Sequence, residues 1–170
     1  MAAGKGSRMD LDIPKPLISL LRKPMIERII EALSFPMITD ICIIVGYESD
    51  KIESFLNRDF IYFYQDELKG TAHAAQRANS IFLEYDNIFI LPSDSPSIKQ
   101  KTLYNLYQSH QTQDADCSFL TAQFPFVLPY ARIIRNNGEI VACIEDVDAN
   151  EEQKEIRELF TSHYLFKSYI

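Results

Sequence analysis

Residues 40–47 read DICIIVGY, an apolar and largely β-branched run that ends at Gly46. Side chains of this kind favour strands, and an unbroken apolar run is typical of a strand buried on both faces. Two later segments repeat the pattern, IYFYQ at 61–65 and NIFILPSD at 87–94. The three segments therefore predict buried strands of a single sheet.

Helical patterns separate the predicted strands. Residues 24–33, PMIERIIEAL, place apolar side chains at helical spacing, and Ser49 or Asp50 is expected to cap a helix over 50–56. Alternating strands and helices predict an α/β fold, a three-layer, Rossmann-like, mostly parallel sheet with helices on both faces. The same patterns predict further helices over 71–82 and 101–110 and strands over 117–124, 131–146 (with a hairpin turn at Asn-Asn-Gly) and 161–167.

Size and composition limit the class of protein. The chain has 170 residues, of which 46% are hydrophobic and 24% charged, and we expect one domain over residues 1–170. Its net charge of −7 argues against general nucleic-acid binding, which usually requires a basic face. There is no apolar run of membrane-spanning length and no recognisable signal peptide. The three cysteines, Cys42, Cys117 and Cys143, are interpreted as reduced core thiols. These features predict a cytoplasmic enzyme or binding protein that contacts neither nucleic acid nor membrane.

The opening segment AAGKGSRM, residues 2–9, has the composition of an anion-binding loop. Gly4 and Gly6 allow the backbone N–H groups to approach phosphate oxygens, and Arg8 and Lys15 supply positive charge. Asp94 follows a predicted strand, where one carboxylate and substrate phosphates could hold Mg²⁺. The alternatives are a flexible terminal segment and an aspartate that bonds only to its own turn.

A second group of residues follows the predicted strand at 61–65. Gln65 offers an amide that can contact the edge of a nucleotide base, and Gly70 beside Thr71 permits close backbone approach. Ligands of α/β sheets bind outside the carboxyl ends of the strands, which is where both groups are predicted to lie. The histidines are interpreted as surface or core residues rather than catalytic ones: His73, His110 and His163.

Taken in order, these motifs resemble one family. AAGKGSRM, IPKPL, KPMIERIIEAL, YQDELKGTAHAAQ and ILPSDSP are similar to segments of the nucleotidyltransferases that make nucleotide sugars. The likeness is greatest to the uridylyltransferase domain of the bacterial enzyme that makes UDP-N-acetylglucosamine, and it extends over essentially the whole chain. The resemblance implies transfer of a nucleotidyl group to a sugar 1-phosphate or related phosphate, with release of pyrophosphate and Mg²⁺ as cofactor.

The resemblance also implies roles for individual residues. The nucleotide would be contacted by backbone groups of Ala2, Ala3 and Gly4, and its triphosphate would be bound by Arg8 and Lys15. Uracil would be contacted by Gln65, Gly70 and Thr71, and Mg²⁺ would be held by Asp94. The acceptor would lie beside Glu145 and Ala131. The implied partners are a nucleoside triphosphate and a phosphorylated sugar or alcohol, and a homo-oligomer is compatible with the sequence. Because the family's first strand would precede Ala2, we expect a truncated first strand and a domain that is incomplete at both ends.

Several positions depart from the family pattern on the acceptor side. Ala131 stands where the family has glycine, and Phe160 stands where it has asparagine. These differences leave two alternatives open: a nucleotide-binding relative without catalytic activity, and a cytidylyl- or guanylyltransferase for an acceptor other than a sugar.

Overall fold

The computed structural model describes residues 1–4, 13–57, 60–67 and 69–169. Within these ranges a short 3-10 helix at Lys15–Leu17 precedes the helices and strands. The helices are α1 (Met25–Ala32), α2 (Ser49–Leu56), α3 (Thr71–Gln76), α4 (Asn79–Phe82), α5 (Gln100–Thr112) and α6 (Glu151–Lys154). The strands are β1 (Ser19–Leu20), β2 (Lys23–Pro24), β3 (Cys42–Val45), β4 (Ile61–Tyr64), β5 (Asn87–Ile90), β6 (Cys117–Gln123), β7 (Arg132–Asn136), β8 (Glu139–Ile144) and β9 (Glu158–Lys167).

The α/β fold class is confirmed, but the expectation of a single, mostly parallel sheet needs correction: the described strands form three sheets, with one parallel pair and five antiparallel pairs. β3 pairs with β4 in parallel, with Cys42 opposite Ile61 and Val45 opposite Tyr64. The long strand β9 pairs antiparallel with β5, β6 and β7, and β7 forms an antiparallel hairpin with β8. Most of the antiparallel strand pairs involve β9, which lies between β5 and β6 in the sheet.

The two faces of β3 show that helices cover both sides of the sheet. Ile43 and Val45 pack in a cluster with buried residues of α1 and α2. Ile44 points the other way and packs against Ala74 of α3 and Ala78, the residue before α4. Because consecutive strand residues face opposite sides, this alternation accounts for the unbroken apolar run in the sequence.

The first residues of the chain lie between β3 and the end of β5. Ala2 N donates to Ile44 O at 2.7 Å, Met1 N donates to Leu91 O at 2.8 Å, and Ser93 N donates to Met1 O at 3.0 Å. Bonds to residues 91 and 93, on either side of Pro92, follow the pattern of parallel strands. Behind Met1 a cavity of about 650 Å³, which we call the slot, separates β3 from β5. Its apolar lining includes Ile29, Ile43, Ile81, Phe82, Ile88 and Ile90.

Some local predictions need correction. Helix α2 begins at Ser49 without a side-chain cap, because Glu48 precedes it in the left-handed conformation with φ of 52°. The helix predicted over 71–82 is divided into α3 and α4. Cys117 and Cys143 are exposed rather than buried in the core. The predicted hairpin turn is confirmed, since Asn137 and Gly138 both have positive φ values, 50° and 87°.

None of the helices in the described ranges combines the length and the apolar character needed to cross a membrane.

Candidate functional site

Three strand-end residues meet at the carboxyl edge of the parallel strands. Gly46 follows β3, Gln65 follows β4, and Ala3 ends the segment beside β3; the Gln65 N–H donates to Val45 O at 2.8 Å. A Cβ atom added to Gly46 would lie 2.9 Å from the carbonyl oxygens of both Ala3 and Gln65. Glycine is therefore required here for close packing of three backbones. Ala2 and Ala3 are buried, at 2% and 5% exposure.

The Gln65 side chain makes its contacts with the segment that leads into α3. Its Nε2 lies 2.9 Å from His73 Nδ1 and 3.4 Å from Gly70 O, and the residue is only 4% exposed. Gly70 has φ of 94°, a conformation that glycine adopts more readily than other residues, and Thr71 is exposed at the start of α3. The structure thus brings Gln65 and Gly70 together, as the sequence predicted, and adds His73, which sequence reasoning assigned to the surface or the core.

Lys15 and Asp94 form an ion pair across the opening of the site. Lys15 lies in the 3-10 helix between Pro14 and Pro16, whose side chains are fully buried and fix the backbone on both sides of it. Asp94 lies in the turn after β5. Both side chains remain accessible, at 38% and 40% exposure, so solvent screens the pair and it contributes little to stability.

The opening loop is described only in part. Gly4 is exposed, and no heavy atom of the described residues lies within 4 Å of the place where its Cβ would be. Gly6 and Arg8 lie outside the described residues, so their assignment to the phosphates stays a prediction. The bond from Ser93 N to Met1 O links the start of this segment to the turn that carries Asp94.

The residues predicted at the acceptor lie on the β7–β8 hairpin. Ala131 is buried at 6% exposure, and its carbonyl oxygen accepts from Phe160 N at 2.9 Å. Glu145 is exposed directly after β8, where its carbonyl oxygen accepts from Asp148 N. Within the described ranges, no hydrogen bond or ion pair joins either residue to Lys15, Gln65 or Asp94. The Phe160 ring packs edge-on against Phe119 at 5.3 Å.

Two buried polar residues near these segments were not predicted as site residues: Arg132, and His163, which was interpreted as a surface or core residue. Arg132 is 1% exposed, forms an ion pair with Asp146 at 2.5 Å and donates to Lys154 O, and so fixes the chain beyond β8. His163 on β9 is 5% exposed; its Nδ1 contacts Thr161 Oγ1 at 3.1 Å, while its buried Nε2 has no hydrogen-bond partner among the described residues. Burial lowers the His163 pKa, and the charge of Asp94 opposes this shift. A lone charged or imidazole side chain within a strand pattern is the only signal that the sequence offered for them.

Asp94 is the residue at this edge that is suited to hold a metal together with a bound ligand. No cluster of three or more His, Cys, Asp or Glu side chains is found in the part of the chain that the structure describes. Mg²⁺ usually binds through one or two carboxylates together with substrate phosphates and water. The accessible carboxylate of Asp94 fits that mode.

Comparison with solved structures finds proteins that share this fold. A glucose-1-phosphate thymidylyltransferase of Bacillus anthracis matches with a TM-score of 0.79 at 24% identity, over 98% of this chain and 69% of that one. An apo UDP-glucose pyrophosphorylase matches with a TM-score of 0.78 at 18% identity, over 99% of this chain and 75% of that one. At these identities the likeness concerns the fold alone.

Sequence comparison gives the family. Residues 1–165 match the family described as the MobA-like NTP transferase domain, and the chain belongs to that family. It is 38% identical over 167 residues to the bifunctional protein GlmU of Acholeplasma laidlawii, and 36% identical over 171 residues to that of Carboxydothermus hydrogenoformans. The matches cover 97% and 100% of this chain but only 36% and 38% of those proteins. The resemblance to nucleotide-sugar nucleotidyltransferases is therefore confirmed.

Proposed function

We propose that this chain transfers a nucleotidyl group, UMP from UTP, to a sugar 1-phosphate or a related phosphate and releases pyrophosphate. The observation that carries the proposal is the accessible Lys15–Asp94 pair at the same edge of the sheet as the Gln65–Gly70 cluster. One cluster offers a cation and a carboxylate for phosphates and metal, and the other offers an amide for a base.

The chemistry requires positioning and charge neutralisation more than a strong general base. A phosphate oxygen of the acceptor attacks the α-phosphorus, the bond to the bridging oxygen breaks, and pyrophosphate leaves with the electron pair. Lys15, with Arg8, would bind the triphosphate oxygens and stabilise the negative charge that develops on them. Asp94 would hold Mg²⁺, which when bound neutralises phosphate charge.

Substitution of Lys15 tests the phosphate assignment. Lys15→Met should weaken UTP binding, measured by calorimetry with Mg²⁺ present, by roughly 1–3 kcal/mol, the range for hydrogen bonds to charged groups. Because the Lys15–Asp94 pair is exposed, the free energy of unfolding should change by less than about 1 kcal/mol. The matched control is Lys23→Met, since Lys23 forms a comparably exposed pair with Glu31 outside the site, and it should leave UTP affinity unchanged. Equal UTP affinity in the unmodified chain and Lys15→Met would refute the assignment.

A pyrophosphate-release screen tests the reaction itself. UTP, CTP, GTP and dTTP are each combined with sugar 1-phosphates, including N-acetylglucosamine 1-phosphate, and with alcohol phosphates. We expect release with UTP and a sugar 1-phosphate. UTP binding without release for every acceptor would support the inactive nucleotide-binding relative, and release with CTP or GTP and an alcohol phosphate would support the other alternative.

A further inference from the structure

The hydrogen bonds of Gln65 determine which way its amide faces. Its side-chain nitrogen, Nε2, is the atom nearest both to Gly70 O, at 3.4 Å, and to His73 Nδ1, at 2.9 Å. A carbonyl oxygen can only accept a hydrogen bond, so the group facing Gly70 O must be the NH₂ end of the amide. The reversed amide would place two carbonyl oxygens against each other.

This orientation also assigns the role of the His73 ring nitrogen. The second hydrogen of the Gln65 amide points at Nδ1, which therefore accepts the hydrogen bond. Both amide hydrogens are thereby used within the protein. Oε1 of Gln65 accepts no hydrogen bond from the described residues, and it is the polar atom that the side chain has left for a ligand.

We propose that His73 is a positioning residue that holds the Gln65 amide with its oxygen toward the base, and that it thereby selects bases with a ring N–H. The inference rests on the proposed function. Uracil offers such a donor at N3, whereas N3 of cytosine is an acceptor and would face Oε1 with an unfavourable pair of acceptors. When His73 cannot accept, only the longer bond to Gly70 O, at 3.4 Å, still holds the amide, so the NH₂ group is presented to the base more often and the preference for UTP over CTP declines.

Two substitutions of nearly equal size separate this role from packing. His73→Leu removes the acceptor, whereas His73→Asn places an amide oxygen near the position of Nδ1. The affinities of UTP and CTP are measured by calorimetry with Mg²⁺ for both variants and for the unmodified chain, and unfolding curves verify that each is folded. We expect the UTP-to-CTP affinity ratio to fall about fivefold or more in His73→Leu, the equivalent of one hydrogen bond, and to be largely restored in His73→Asn.

Each outcome bears on the inference. If both affinities fall in parallel in His73→Leu, or if the ratio does not change, His73 has only a structural role and the inference is wrong. A preference of the unmodified chain for CTP would also overturn it. If the unmodified chain binds neither nucleotide at millimolar concentration, both the proposed function and this inference fail, whereas binding of UTP with an unchanged ratio overturns this inference alone.

Discussion

At the scale of single residues, Gly46 shows how closely the strand ends are packed. A methyl group at this position would meet backbone oxygens of Ala3 and Gln65 at 2.9 Å, and backbone atoms cannot move aside as a flexible side chain can. Gly46→Ala should therefore lower the free energy of unfolding by roughly 1–3 kcal/mol, as overpacking usually does. Urea denaturation measures the change. The control is Gly4→Ala, where the added group meets no atom of the described part of the chain within 4 Å, so that variant should be nearly as stable as the unmodified chain. Equal stability of the two variants would contradict the packing argument.

At the scale of elements, the apolar slot between β3 and β5 continues the line of the segment at Met1 and Ala2. Met1 lies opposite Pro92 in a parallel arrangement, so a strand ahead of Met1 would face residues 87–91, about five positions. An engineered extension Val-Ile-Ile-Leu-Ala joined to Met1 should enter the slot and raise the free energy of unfolding by roughly 1–3 kcal/mol. Each buried large apolar side chain contributes about 1.5–3 kcal/mol, more than the roughly 1–2 kcal/mol needed to fix its backbone.

An extension of equal length, Gly-Ser-Gly-Ser-Gly, is the matched control for that experiment. It supplies the same backbone without apolar side chains, so it should leave the midpoint of thermal unfolding nearly unchanged. If the two extensions give the same midpoint, the slot does not accept an apolar strand.

At the scale of the whole molecule, two buried histidines make stability depend on pH. Burial lowers the pKa of both His110 and His163, whereas in the unfolded chain each titrates near 6.5. The unfolded state therefore binds more protons around and below pH 6.5, so the histidine contribution to stability is full well above that pH and falls as the pH decreases, by up to about 1.4 kcal/mol per pH unit for each histidine. Thermal unfolding between pH 8 and pH 5 measures the slope. His163→Gln should make it shallower, and an unchanged slope would exclude His163 as a source.

The acidic groups act in a different range, which keeps the histidine effect separable. Bidentate hydrogen bonds from Arg135, both 2.7 Å long, lower the Glu158 pKa. A carboxylate with a lowered pKa stabilises the fold above its unfolded value of about 4.3 and loses that contribution only as the pH falls further. The buried Met1 amine, whose pKa burial lowers to about 6, adds its own loss of stability between about pH 8 and pH 6, so the loss between pH 6 and pH 5 reports mainly on the histidines.

Particular residues show what could be predicted from the sequence and what could not. The apolar run before Gly46 and the helical spacing in residues 24–33 depend on local periodicity, so β3 and α1 were predicted close to their observed bounds. The position of β9 between β5 and β6 could not be predicted in this way, because pairing between distant strands leaves no local pattern. Glu48 is a similar case, since its left-handed conformation ahead of α2 is not what a glutamate predicts.

For the candidate site, the sequence by itself determined the residue types and their order along the strand ends: Lys15, Gly46, Gln65, Gly70 and Asp94. Alternating strands and helices place such positions at one edge of the sheet, which is why chain order sufficed. Only the tertiary structure decided which of them touch. Lys15 and Asp94 are 79 residues apart, and His73 reaches Gln65 because the intervening turn folds α3 back against β4. Such contacts depend on packing of elements that are distant in the chain, and local propensity carries no information about that packing.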